Sequence, residues 1–310
     1  MFFSFTYDNL QGGTVMVGII DIGSNTIRLV MYEKGKKLCN IAANSEILQD
    51  TVDCHLTKEG TQKLCETITF LKNEAKGEPV YAIATFAFRV LEKCEEVKKE
   101  IYEKTGVKIE ILSGKDEAKC DFAALIKEIG REKNGIGVDL GGGSAQIFTF
   151  EKENLLFFES YPIGAKKIKK IFVEDVFPTE TETEEIKKYI GKYVNRVGGK
   201  SKDIYIMGGT AKTAFRIYTY IKGTQNIRYI EAKDINSIIE FIKEAPEDLI
   251  KNVLRSRYDN IVCGIMVIAE LAKTFESERI YVLPCGVREG YLLTKNLKNE
   301  EEGEKADGIN

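Results

Sequence analysis

The spacing of apolar and polar residues along the chain predicts an α/β protein. Short apolar runs predict buried strands at 17–20, 80–84, 107–112, 136–138, 203–207 and 279–283. Apolar residues at helical spacing predict helices over 57–76, 92–104, 113–129, 234–244, 246–254 and 260–275. Strands and helices alternate in both halves of the chain, which is typical of helices packed on a mixed or parallel sheet.

One glycine-rich turn interrupts this pattern in the second half. Asp139-Leu140-Gly141-Gly142-Gly143-Ser144 follows the run 136–138, and the alternating segment 145–150 follows the turn as an outgoing strand. Successive glycines let backbone N–H groups approach a phosphate, and the aspartate suits a divalent metal ion. A Walker loop and a Rossmann turn both require a helix next, so neither fits this strand–loop–strand pattern.

The first half contains a related turn, Asp21-Ile22-Gly23-Ser24-Asn25-Thr26. At a constant offset of 118 residues, Asp21 falls on Asp139, Gly23 on Gly141 and Thr26 on Ser144. Two such hairpins would hold a phosphate group between two similar lobes, as in actin, Hsp70 and the sugar kinases. We therefore predict a duplicated architecture with a phosphate-binding cleft between the lobes.

The length of 310 residues suffices for two domains of ordinary size. We predict an extension or mobile tail at 1–15, a first lobe at 16–123 and a second lobe at 124–288. Residues 289–310 are predicted to form a C-terminal helix that returns to the first lobe, followed by a disordered tail rich in charge.

Composition narrows the class of protein. The chain is 43% hydrophobic and 30% charged, with a net charge of −3, which favours a soluble globular protein and argues against general nucleic-acid binding. No apolar run is long enough to cross a bilayer. Seven cysteines without a C-x-x-C pair indicate reduced thiols and a cytoplasmic location. His55 is the only histidine, which excludes a zinc site built from several histidines.

Taken together, the motifs resemble those of the exopolyphosphatase and guanosine pentaphosphate phosphohydrolase (Ppx/GppA) family in its short, two-domain form. The resemblance covers most of the chain and depends on segments 21–29, 84–89, 111–118, 139–144, 162–165, 208–210 and 286–290. It implies two actin-like (ribonuclease H-like, ASKHA superfamily) lobes with mixed five-stranded sheets. It also implies hydrolysis of phosphoanhydride ends with Mg²⁺ or Mn²⁺, and a possible homodimer.

The resemblance also implies roles for individual residues. Glu117 matches the general base, Arg89 the phosphate-clamping arginine, and Asp139 with its partner Asp21 the metal-side carboxylates. The expected phosphate-binding residues are Ser24, Asn25, Thr26, Gly141, Gly142, Gly143, Ser144, Gly208, Gly209 and Thr210. From the residues alone, Glu117 could instead be a first-turn helix carboxylate, Asp139 a turn cap and Arg89 a member of a surface ion pair.

The sequence departs from the family pattern beside the second turn. The usual Ser-Thr-Glu is here Ser144-Ala145-Gln146, which removes one negative charge, and the segment after Arg89 also differs. The sequence therefore favours an exopolyphosphatase and leaves open two alternatives. One is a guanosine pentaphosphate 5′-phosphohydrolase; the other is a catalytically weakened phosphate or polyphosphate sensor of the same fold. The lysines at 166, 167, 169 and 170 could line a path for a polyanion, although a solvated helix face is the simpler interpretation.

Overall fold

The structure, a computed structural model, describes residues 16–23, 26–44, 47, 50–246, 248, 250, 254 and 257–295. The predicted tails at 1–15 and after 295 lie outside these residues, and so does most of the helix predicted at 246–254. The chain divides into two compact units, the first ending at Glu117 and the second beginning at Ala118. Within the described residues, no helix is both long and apolar enough to span a membrane.

The first unit is organised around a five-stranded mixed sheet. Its elements are β1 (Met16–Ile22), β2 (Thr26–Glu33), β3 (Lys36–Asn44), β4 (Thr51–Val52), β5 (His55–Leu56), α1 (Lys58–Glu74), β6 (Val80–Ala84), α2 (Phe86–Arg89), α3 (Cys94–Thr105), β7 (Ile109–Ile111) and the start of α4 (Gly114–Ile129). The sheet has the order β3-β2-β1-β6-β7. Strands β1, β2 and β3 are antiparallel, whereas β6 runs parallel to both β1 and β7.

Helix α1 shows how the sequence directs the packing of this unit. Thr57 caps the helix by accepting a hydrogen bond from the Gly60 N–H at 3.0 Å. Leu64, Ile68 and Leu71 recur at helical spacing and are buried in the core with the strands. The apolar face of α1 therefore covers the sheet as the sequence pattern predicts.

The second unit repeats this plan with one added strand. Its elements are β8 (Asn134–Leu140), β9 (Ala145–Glu151), β10 (Asn154–Tyr161), α5 (Ala165–Phe172), α6 (Glu180–Val194), β11 (Asp203–Met207), α7 (Gly209–Lys222), β12 (Ile230–Glu231), α8 (Ile235–Glu244), α9 (Ile261–Thr274), β13 (Arg279–Val282) and α10 (287–295). The sheet order is β10-β9-β8-β11-β13-β12. The two-residue strand β12 extends the five expected strands, since it pairs with β13 in antiparallel orientation.

The duplication predicted from the two glycine turns is present in the backbone. β1 pairs with β2 so that Asp21 lies opposite Arg28, and β8 pairs with β9 so that Asp139 lies opposite Gln146. β6 runs parallel to β1, as β11 does to β8. Each glycine hairpin therefore lies at the same place in its own sheet, next to the end of the following parallel strand.

Candidate active site

Arg89 and Glu117 are in contact within the first unit. Arg89 is the last residue of the one-turn helix α2, which begins two residues after β6 ends at Ala84. Its Nη1 donates to the Leu112 carbonyl at 2.7 Å and to Glu117 Oε2 at 2.9 Å. A single guanidinium nitrogen thus connects the segment after β7 with the first turn of α4, through its two N–H groups.

The Arg89–Glu117 ion pair is largely enclosed. The side chain of Glu117 is only 10% exposed and that of Arg89 is 23% exposed. Glu117 also lies in the first turn of α4, where the helix dipole favours negative charge. The Ser113 hydroxyl accepts from the Asp116 N–H at 3.1 Å and fixes this turn. The result is a carboxylate paired with a cation and with limited solvent access, and the ionised form of such a group can accept a proton.

The first glycine hairpin is described in part. Asp21 is the penultimate residue of β1, and the Gly23 N–H donates to the Thr26 carbonyl at 3.1 Å. Thr26 begins β2. Ser24 and Asn25, two of the predicted phosphate-binding residues, lie outside the described residues.

The second glycine hairpin has the same internal hydrogen bond. The Gly141 N–H donates to the Ser144 carbonyl at 3.0 Å and closes the turn. Gly142 and Gly143 at its tip are exposed, and their N–H groups have no backbone acceptor among the described residues. Exposed amides at a tight turn form a site of positive partial charge that suits an anion.

Helix α5 supports this second hairpin from behind. The N–H groups of Ala165 and Lys167 donate to the carbonyls of Gly141 and Gly142 at 3.1 and 3.0 Å. Gly164 makes this contact possible, because a Cβ at that position would collide with the backbone of Gly143. The loop carbonyls are thereby occupied, which leaves the amide side of the turn for a ligand.

The third predicted turn places the start of α7 beside Asp139. Gly208 has a φ of +104°, a conformation that favours glycine, and an added Cβ would lie 3.2 Å from Asp139 Oδ1. Gly209 is the first residue of α7, and Thr210 is buried. The structure therefore brings together Asp139, the glycine hairpin and the N-terminal end of a fourteen-residue helix, all within the second unit.

Three basic residues lie near these turns, and the sequence did not single out any of them as a site residue. The stem of Lys166 covers Gly142, with Cδ 3.4 Å from the position of an added Cβ. The guanidinium of Arg257 covers Gly209. Burial, and secondarily Arg257, lowers the pKa of Lys166. Lys212 lies one turn into α7, and burial is the main cause that lowers its pKa. The lysine run at 166–170 was visible in the sequence, but only the backbone shows which lysine covers the loop.

Gln146 is buried beside the hairpin and contacts two hydroxyl groups. Its Nε2 donates to Ser144 Oγ at 3.0 Å and to Ser160 Oγ at 3.3 Å. Because Gln146 lies opposite Asp139 in an antiparallel pair, the two side chains share one face of the sheet. An amide at this position supplies hydrogen bonds but no negative charge for a metal ion.

The fit of a divalent metal ion depends on what completes its coordination. Among the described residues, no group of three or more His, Cys, Asp or Glu side chains is arranged to hold a metal ion. Mg²⁺ commonly binds through one or two carboxylates, with waters and substrate phosphates as the remaining ligands. Asp139, next to the exposed amides of a glycine turn, fits that second mode.

Comparison with known proteins identifies the family. A model of the Ppx/GppA phosphatase family matches residues 36–299, and this chain belongs to that family, as the motifs predicted. Exopolyphosphatase 1 of Mycobacterium tuberculosis is 25% identical over 312 residues, covering 93% of this chain and 90% of that protein.

Solved structures confirm the predicted actin-like fold. The crystal structure of the Aquifex aeolicus member of the Ppx/GppA family superposes with a TM-score of 0.78 at 23% identity, covering 93% of this chain and 99% of that one. An exopolyphosphatase from Cytophaga hutchinsonii gives a TM-score of 0.76 at 19% identity, with 90% and 97% covered. At these identities the structural likeness shows the fold alone.

Proposed function

We propose that this protein is a metal-dependent exopolyphosphatase that releases terminal phosphate from inorganic polyphosphate. Membership of a phosphatase family supports hydrolysis of phosphate substrates. The observation that carries the proposal is the enclosed contact between Arg89 and Glu117, at 2.9 Å. In the proposal, Glu117 is the proton acceptor and Arg89 the phosphate-binding cation, and both groups are needed for hydrolysis of a terminal phosphate.

In this proposal Glu117 orients a water molecule and takes its proton. The water oxygen forms a bond to the terminal phosphorus, and the bridging P–O bond breaks. Orthophosphate and a chain shorter by one phosphate are the products. Arg89 holds oxygens of the terminal phosphate, as its planar fork allows. In the second unit, the exposed amides of Gly142 and Gly143 are assigned to phosphate oxygens of the substrate.

A divalent ion is part of the proposal. In the second unit Asp139 is the carboxylate assigned to a metal ion, and Asp21 is the equivalent carboxylate assigned in the first unit. When bound, Mg²⁺ or Mn²⁺ would neutralise charge on phosphate oxygens, as metal ions do in other phosphoryl-transfer sites. The chain's own residues supply the proton acceptor and the amide contacts.

Phosphate release is the direct test. Wild type and Glu117→Gln are assayed with long-chain polyphosphate and with guanosine pentaphosphate, each with and without Mg²⁺. We expect metal-dependent release from polyphosphate by wild type and loss of release in Glu117→Gln. Lys115→Gln, in the same turn of α4, is a matched control for the change of a charged side chain. Equal release by wild type and Glu117→Gln would overturn the assignment of the base.

The position of α7 supports guanosine pentaphosphate as a second candidate substrate. Gly208 and Gly209 begin this helix directly beside Asp139, so its N-terminal amides face a site suited to an anionic group. Preferential release from guanosine pentaphosphate in the same assay would favour this alternative over polyphosphate.

A third candidate, from a different functional class, is a sensor that binds polyphosphate without turnover. Gln146 supports it, because a buried amide replaces a carboxylate opposite Asp139. Binding of polyphosphate to wild type without release, under conditions that contain Mg²⁺, would favour the sensor. Gln146→Glu then tests whether the missing carboxylate is the reason. A gain of phosphate release in this variant would show that the missing charge limits catalysis.

A further inference from the structure

The second unit contains a counterpart of the Arg89–Glu117 arrangement. Arg89 is the fourth residue of α2, the helix that follows β6. Lys212 is the fourth residue of α7, the helix that follows β11. Since β6 and β11 occupy equivalent places beside β1 and β8, the two cations occupy equivalent positions in the two units.

Both cations make the same backbone contact. Arg89 Nη1 donates to the Leu112 carbonyl at 2.7 Å, and Lys212 Nζ donates to the Pro284 carbonyl at 2.7 Å. Each carbonyl belongs to the segment after the next parallel strand of its sheet, β7 or β13. In each unit a glutamate follows that carbonyl by five residues, Glu117 in the first and Glu289 in the second.

The surroundings of the two cations differ. Arg89 forms its ion pair with the glutamate itself. Lys212 lies in the field of two carboxylates, because Glu289 and Asp139 both favour its charged form. Burial and Arg288 oppose them, and burial has the largest effect, which leaves the pKa of Lys212 below its ordinary value.

The backbone brings Lys212 close to Asp139. The Lys212 N–H donates to the Gly208 carbonyl at 3.2 Å, and Asp139 Oδ1 lies directly above Gly208. Asp139 therefore lies beside the start of α7, and Lys212 lies one helical turn further along the same helix. A cation fixed near Asp139 makes the electrostatic potential at this carboxylate less negative, and so weakens its attraction for a metal cation.

We infer that Lys212, held by the Pro284 carbonyl, is a positioning residue that balances the charge of Asp139 and thereby sets the affinity of that carboxylate for a divalent metal ion. This inference rests on the proposed role of Asp139 as a metal ligand. Lys212 acts through Asp139 and needs no contact with the reacting phosphate.

The inference predicts opposite effects for the two members of the pair. Removing the positive charge with Lys212→Met removes repulsion of the cation, so Mn²⁺ is expected to bind roughly five- to tenfold more tightly. Removing the negative charge with Glu289→Gln leaves Lys212 less neutralised, so Mn²⁺ is expected to bind more weakly by a similar factor. Lys212→Arg keeps the charge and is expected to bind Mn²⁺ as wild type does.

Mn²⁺ binding to the full-length protein, without substrate, is measured by electron paramagnetic resonance. Asp139→Asn identifies the signal of this site, because the variant should lose it. Lys222→Met, at the other end of α7, is the matched control and should bind Mn²⁺ as wild type does. General loss of structure would weaken binding in both charge variants, so tighter binding by Lys212→Met cannot arise from it.

The two proposals can fail separately. Mn²⁺ affinities that change as expected, in a protein that releases no phosphate, would support this inference and reject the exopolyphosphatase. Metal-dependent release with an unchanged Mn²⁺ affinity in Lys212→Met would reject this inference and keep the enzyme. Absence of any Mn²⁺ signal that depends on Asp139 would also overturn the inference.

Discussion

Two related arrangements of a cation, a backbone carbonyl and a glutamate occur in this chain, one in each unit. In the first unit Arg89 joins the Leu112 carbonyl to Glu117 at 2.7 and 2.9 Å. In the second unit Lys212 donates to the Pro284 carbonyl at 2.7 Å and lies in the field of Glu289 and Asp139. The forked guanidinium binds its glutamate directly, whereas the point charge of the lysine is shared between two carboxylates. The duplicated fold thus carries the proposed base in one unit and the proposed charge-balancing group in the other.

Substitution of Glu117 or of Glu289 is expected to give the largest difference in kcat between the two units. Glu117→Gln removes the proposed proton acceptor, and kcat for phosphate release is expected to fall by roughly 10²–10⁴-fold. Glu289→Gln removes a charge that is inferred to act through Lys212 and Asp139, so at saturating metal its kcat is expected to stay within about tenfold of wild type. Steady-state assays of both variants at several Mg²⁺ concentrations make the measurement. Similar losses of kcat at saturating metal would remove the proposed distinction between the units.

Arg89→Lys tests why the first unit uses arginine. A lysine ammonium keeps the charge but lacks the planar guanidinium that contacts a carbonyl and a carboxylate and, in the proposed function, a phosphate. We therefore expect kcat/KM to fall by about 10²-fold. The control is Lys98→Met, which breaks an exposed ion pair with Glu95 at the same 2.9 Å separation. That surface pair should affect activity by less than about twofold. Full activity in Arg89→Lys would show that charge alone is sufficient.

Gly164→Ala tests the support of the second hairpin. Its Cβ would collide with the backbone of Gly143 and Ser144, so α5 must move away from the loop carbonyls. We expect a loss of about 1–3 kcal/mol in stability, read as a lower midpoint of urea unfolding, and weaker binding of orthophosphate. Gly191→Ala, inside α6 with only Asn195 Nδ2 at 3.8 Å, is the control and should stabilise the protein by roughly 0.5–1 kcal/mol. A normal midpoint in Gly164→Ala would mean that α5 does not support the turn.

Local patterns in the sequence were sufficient to predict much of the fold. The strands at 80–84 and 203–207 were predicted with the bounds that the structure shows, because each contains a short apolar run between polar segments. The constant offset between Asp21 and Asp139 revealed the duplication, since hairpin length and strand register repeat together. The family resemblance pointed to Arg89 and Glu117 separately, but their contact was not predicted, because 28 residues separate them.

The charged residues that surround the second glycine hairpin and Asp139 could not be predicted from local sequence patterns. Lys212 and Arg257 belong to helical or polar segments without a distinctive spacing, and their positions depend on how α7 and the residues before α9 pack around Gly209. The counterpart of Arg89 was also hidden, because a lysine replaces the arginine and a different turn precedes the helix. Such relations depend on tertiary packing rather than on local pattern.

Two tyrosines at equivalent strand positions are expected to give the smallest difference between the units, a difference in how stability depends on pH. Tyr81 in β6 lies opposite Ile19, and Tyr205 in β11 lies opposite Gly137 at the same place in the second sheet. Tyr81 is 39% exposed, whereas Tyr205 is 3% exposed and stacks on Tyr281 with ring centroids 5.3 Å apart. Burial is the main cause that raises the pKa of Tyr205 to about 12.

A raised tyrosine pKa in the folded state means that folding favours the protonated phenol. This stabilisation is fully present below the ordinary value of about 10 and is lost as the pH rises toward 12. Tyr205→Phe should therefore lose less unfolding free energy than wild type, by up to about 2 kcal/mol, between roughly pH 9 and pH 11.5. Urea unfolding of both proteins at each pH measures the difference, and other titrating groups cancel in the comparison. Tyr81→Phe is the matched control and should follow wild type, because its side chain is already in contact with water. An equal loss in wild type and Tyr205→Phe would show that the buried phenol of the second sheet does not carry this difference between the units.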